Sequence, residues 1–92
     1  MFEAAETFIR SNVDRIGIDT EGRREILRYL DNREYEMAFE GLFLELMRST
    51  RPGDLDPALC RDLGIALGLD RHSVFDGQFW EKFEHYVGTP TR

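Results

Sequence analysis

Asp70, Arg71, His72 and Ser73 run consecutively and set a carboxylate, an imidazole and a hydroxyl side by side, the three groups of a nucleophilic triad. Triads are assembled from positions that a fold brings together, with a held nucleophile and an oxyanion site facing it. Neighbours on one turn do not line up that way, and Ser73 reads instead as the N-cap of the last helix. Glu81 and His85 stand one helical turn apart and can reach one ion from a single face. Two ligands leave a tetrahedral zinc site half filled, and no partner pair completes it. Cys60 is the single thiol, beside the inner face of a helix, where a cysteine is an inert small hydrophobe. GIALG, from Gly64 to Gly68, matches neither a phosphate-binding loop nor a dinucleotide fingerprint. The expectation is a non-catalytic protein with no cofactor and no metal site.

What remains is charge. The 92 residues carry 18 acidic and 12 basic side chains, a net charge of −6. A nucleic-acid binder needs a basic footprint to neutralise phosphates, so direct nucleic-acid binding is not expected. Negative charge suits a cationic partner, because complementary fields steer encounter, and it also simply keeps a small protein soluble. One cysteine forms no internal disulfide, which fits a reducing compartment. The opening MFEAAETFIRSNVDR carries Glu3 and Glu6 where a signal peptide carries cations, and no apolar run approaches a membrane span. The chain is expected to be cytoplasmic, away from membranes, and folded as one helical domain over residues 1–92.

Residues with this chemistry have to be held by helices. Phe2, Ala5, Ile9, Val13 and Ile16 recur at three- and four-residue steps, with Gly17 as a left-handed stop and Ile18 placed to fold back on Val13. Asp19 or Thr20 can cap a second helix with Ile26, Leu27 and Leu30 on its apolar side. Asp31 with Glu34 has the spacing of a capping box that opens a third helix. Pro52 and Gly53 form a turn, Asp56 caps a fourth helix with Pro57 in its first turn, and Leu55 and Cys60 have staple spacing. Leu59, Leu63, Ala66 and Leu67 are expected to line its inner face. The last segment, HSVFDGQFWEKFEHYV, sets Phe75, Phe79, Phe83, Tyr86 and Val87 on one side and Trp80 at its margin, before Gly88 and Pro90 stop it. These aromatics read as core rather than as a binding box, because a small bundle has to bury its aromatics. No strand-type alternation appears, and the predicted fold is all-α, a small four- to five-helix bundle.

The third helix, REYEMAFEGLFLEL, is unusual in being apolar nearly all round. Tyr35, Ala38, Phe39, Leu42 and Leu46 make one face with Phe43 on its shoulder, while Met37 and Leu44 lie opposite and Gly41 lies between. Such a helix is either a central post, packed by helices one, four and five, or one whose rear side meets another chain. Gly41 costs about 1 kcal/mol in a helix interior, which a close helix approach can offset.

YLDNREYEMAFEGLFLEL, followed after the Pro–Gly turn by LCRDLGIALGLD, resembles the MafI-type immunity proteins, small helical proteins encoded beside toxins of bacterial interbacterial competition systems. Glu34, Ala38, Leu42 and Leu46, then Leu63, Ala66, Leu67 and Leu69, carry the likeness, which covers Tyr29 to Asp70. It implies an antitoxin that binds and masks a cognate protein toxin, nucleases being common among such toxins, with no chemistry of its own. The expected interface uses Asp31, Glu34, Glu36 and Glu40 around the start and back of the third helix, with Asp54 and Asp56 on the following turn. Met37 and Leu44 would be its apolar anchors. The rival reading is a structural or adaptor module that dimerises through the Met37–Leu44 side, so a monomer or a weak homodimer is expected.

Overall fold

Among the described residues the apolar spacing and its stop signals resolve into five helices: α1 (Glu3–Asn12), α2 (Thr20–Asp31), α3 (Tyr35–Leu46), α4 (Pro57–Ala66) and α5 (Phe79–Gly88). The computed structural model describes residues 2–15, 17–49 and 51–88, and those residues contain no strand. The fold is a small all-α bundle. Among the described residues no helix is long and apolar enough to cross a membrane.

Local chemistry sets the helix ends. Asn12 ties off α1 by donating to the Phe8 carbonyl at 2.7 Å and accepting Arg15 Nε at 2.8 Å. Gly17 lies beyond this end at φ 104°, and a Cβ there would stand 2.5 Å from Ser49 Oγ. Ile16 and Pro90, expected as a core residue and a stop, lie outside the described residues. Asp19 caps α2 by accepting the Gly22 N–H at 2.7 Å.

The capping box expected from Asp31 and Glu34 does not form. Asp31 is the last residue of α2, and Glu34 stands at the N-cap of α3 without a side-chain cap bond. A Schellman closure takes its place: Glu34 N–H donates to the Tyr29 carbonyl at 2.8 Å and Arg33 N–H to that of Leu30 at 3.0 Å. Arg33 therefore adopts the left-handed conformation, φ 59°, that glycine usually supplies. Gly68 closes α4 in the same way at φ 80°, with Leu69 N–H donating to the Gly64 carbonyl at 3.0 Å.

Asp56 caps α4, accepting the N–H groups of Ala58 and Leu59 at 3.0 and 3.3 Å. The inner face of this helix is rotated from the expected one. Leu63 and Leu67 stay on it as expected, but Leu59 is 43% exposed and Ala66 is exposed, and Cys60 and Gly64 point inward in their place. The cause is Trp80: a Cβ on Gly64 would lie 2.7 Å from its ring, so the helix turns its smallest residue toward α5 to admit the indole.

The last helix starts at Phe79 rather than at Ser73, and residues 73–78 are irregular. Its far end is held by Arg51, which donates to the carbonyls of Tyr86 and Val87 at 2.9 and 3.2 Å, a cation at the negative end of the helix dipole.

Helix α3 is the post of the bundle. Ala38, Phe39, Leu42, Phe43 and Leu46 are buried in one core cluster that draws residues from all five helices. Phe43 meets Phe83 edge-on at 4.8 Å between ring centroids and Phe39 at 4.9 Å. Phe8 closes the cluster's edge, 5.9 Å from Phe39 and 6.0 Å from Phe43. The neighbour absent from the expectation is α2, which packs against α3 more extensively than any other helix does.

Candidate partner-binding groove

The rear of α3 is divided among three environments. Gly41 faces α2, where a Cβ would stand 3.7 Å from Ile26 Cγ1. Leu44 is half-buried and packs against the core cluster, and Met37 is half-buried. Glu40 is wholly buried, 0% exposed.

Burying a carboxylate is costly unless hydrogen bonds replace its water. Glu40 receives three: Val74 N–H donates to Oε1 at 2.7 Å, and the N–H groups of Phe75 and Asp76 donate to Oε2 at 2.8 and 2.9 Å. Successive backbone N–H groups of this kind form a nest for an anion, and here the occupant belongs to the chain itself. Glu40 is thus removed from the expected interface; its role is to clamp the segment before α5. The sequence carried one signal of this. A glutamate in a helix apolar on nearly all sides has little solvated face to occupy.

The clamp explains why Phe75 stands outside the core. Its backbone is pinned to α3, its side chain is 48% exposed, and its ring leans on Tyr29 at 5.7 Å between centroids. Between α2 and α3 lies an open groove of about 340 Å³ with Ile26, Tyr29, Gly41, Leu44 and Phe75 on its floor and walls. Asp19, Glu21, Glu25 and Glu45 also line it, against the single guanidinium of Arg48. Glu45 lies across α2 at Gly22, where a Cβ would stand 2.9 Å from its carboxyl carbon.

The rim acids are engaged on their own surfaces: Glu21 pairs with Arg24 at 3.1 Å, Glu45 with Arg48 at 3.4 Å, and Glu25 with Arg28. Surface helix pairs of this spacing contribute only about 0.2–0.5 kcal/mol, so an incoming cation can compete for them.

The other expected interface residues are distributed rather than gathered. Asp31 sits 3.7 Å from Arg10 of α1. Asp54 binds Arg15 at 2.9 Å, and that guanidinium holds its carboxyl below the usual carboxylate value. Asp56 is occupied as the α4 cap. Glu34 is half-buried at the start of α3, and Glu36 beside it is exposed. Leu44 alone of the eight lines the groove.

The residues singled out for chemistry stay apart from it. Among the described residues no group of three metal-ligating side chains is assembled. Ser73 caps no helix: α5 begins six residues later, after an Asp76 turn in which Oδ1 accepts the Gln78 N–H at 2.9 Å. Burial, with a smaller push from Asp56, raises the Cys60 thiol to about 12, so the neutral form fills a core position. Comparison of the chain with family models, curated proteins and solved structures returns no match.

Proposed function

We propose that this chain is a non-catalytic immunity protein, an antitoxin that binds a cognate, basic bacterial toxin domain in the cytoplasm and masks it. One observation carries the reading: an open apolar groove at the rear of the central helix, lined by four carboxylates and one guanidinium. An apolar floor gives a partner area to bury, and the surplus of carboxylate selects a cationic one. The stretch resembling the MafI-type proteins, Tyr29 to Asp70, contains Tyr29, Gly41 and Leu44 of that groove. A nuclease is a fitting target, since its substrate surface is basic and an acidic protein can take the place of phosphates.

Dimerisation through the Met37–Leu44 side draws less support. Glu40, between those residues, is committed to the chain's own backbone, and two grooves facing each other would oppose carboxylate to carboxylate.

The test is to sequence the adjacent reading frames and co-express this chain with any toxic domain that one of them encodes. Growth restored by this chain, together with a stable one-to-one complex, is the expected result. Toxicity unrelieved by an abundant, folded chain would end the proposal.

A further inference from the structure

We infer that the α2–α3 groove receives a basic segment of the protein partner, one apolar side chain seated between Phe75 and Leu44 and lysine or arginine set against Glu21, Glu25 and Glu45. The inference rests on the inhibitor reading above and names its contact surface. Three observations lead to it.

The first is size. A groove of about 340 Å³ lies at the low end of pockets that take a ligand, and it accommodates one or two side chains rather than a whole helix. The second is the presentation of Phe75. An exposed aromatic on a free loop would lose rotational and backbone freedom on binding, which weakens affinity. Here the N–H groups of Val74, Phe75 and Asp76 are already fixed by the buried Glu40, so the ring is presented on a pre-organised backbone. Glu40 is a positioning residue: it touches no partner and sets the loop that does.

The third is charge, which selects the occupant. A second copy of the chain would bring a net charge of −6 toward a rim already acidic. A cationic segment instead displaces Arg24, Arg28 and Arg48 from weak surface pairs and gains the carboxylates they release.

The experiment uses the full chain, isotopically labelled, and a synthetic amphipathic helix of leucine and lysine as probe, with its leucine–glutamate counterpart as control. The basic peptide should shift the amides of Gly41, Leu44 and Val74 to Asp76, and the acidic one should leave them unmoved. Phe75→Ser, which keeps the net charge, should weaken the basic peptide by about tenfold. Glu25→Gln should weaken it less and flatten its salt dependence. Equal affinity for Phe75→Ser, or shifts centred on exposed Leu59 and Ile65 of α4, would overturn the inference. The two readings also fail separately. A Phe75→Ser chain that neutralises the toxin as well as the wild type removes the groove and leaves the inhibitor. A wild-type chain that seats the peptide yet relieves no toxicity removes the inhibitor and leaves the groove.

Discussion

The Glu40 carboxylate accepts the Phe75 N–H at 2.8 Å from inside the bundle, while the Phe75 side chain stands half in water. The exposed ring is therefore positioned by a fully buried charge on another element. Apolar packing alone would have left residues 73–78 with unpaired N–H groups at the edge of the core. The carboxylate satisfies three of them at once, and Asp76 then starts α5 through its own turn.

Replacing Glu40 by glutamine keeps the shape and removes the charge. The amide offers one acceptor oxygen, and its NH₂ faces N–H donors, so at least one backbone group loses its partner. Bonds to charged groups contribute about 1.5–3 kcal/mol each and a stranded buried donor costs a similar amount, so Glu40→Gln should lose about 2–3 kcal/mol. The urea midpoint should fall at unchanged slope. Hydrogen exchange should speed up first at Val74, Phe75 and Asp76. Exchange unchanged at those amides would mean that the loop is held by something else.

The helices themselves were legible, because three- and four-residue spacing and Asp, Gly and Pro signals act locally: Asp19, Asp56, Pro57, Gly17 and Gly68 stand near the expected ends. Relationships set by distant residues were not. The Glu40 clamp joins positions 34 to 36 apart, and the turn of α4 toward Trp80 depends on a close approach that no periodicity encodes. The acidic set expected at the interface is scattered for the same reason. Capping and ion pairing with Arg10 and Arg15 spread its members over separate surfaces, and only Leu44 reaches the groove.

Gly64 offers a direct reading of the α4–α5 contact. A methyl group there would come within 2.7 Å of the Trp80 ring, so the indole has to move or the helices have to part. Gly64→Ala should lose about 1–3 kcal/mol through overpacking, despite alanine's better helix propensity. Trp80 is the only tryptophan, so its emission should report the displacement without a label. Unchanged emission and stability would show that α4 does not approach α5 so closely.

Arg33 is a site where a substitution should stabilise. At φ 59° an L-residue is strained by about 1–2 kcal/mol, and glycine adopts that conformation without a Cβ penalty but with a larger entropy loss. Arg33→Gly should therefore raise stability by about 0.5–1 kcal/mol, seen as a higher thermal midpoint. A loss instead would indicate that the Arg33 side chain makes a contact worth more than the strain.

Cys60 should behave as a core residue. In the folded chain a thiol-labelling reagent at mildly alkaline pH should react only through opening, with a rate that rises with urea. Because the folded thiol ionises near 12 and the unfolded one near 9.0, its contribution to stability is complete below 9 and lost as pH rises through the folded value. Cys60→Ala should lack that alkaline decline. Rapid labelling of the native chain would place the thiol outside the core.

Asp76 governs the opposite end of the pH scale. Its carboxylate binds Lys82 Nζ at 2.7 Å, and that bond, with the Gln78 N–H, holds it below the ordinary value of 3.8. A depressed carboxylate stabilises the fold above its unfolded value and loses that contribution as pH falls through the folded one. Asp76→Asn keeps an oxygen for the Gln78 N–H and loses the charge opposite Lys82. The variant should be slightly less stable than the wild type at neutral pH, with the gap shrinking below about pH 4 as wild-type Asp76 is protonated. Urea midpoints measured across the acid range decide it: a gap that persists into strong acid would assign the effect to the turn rather than to the ion pair.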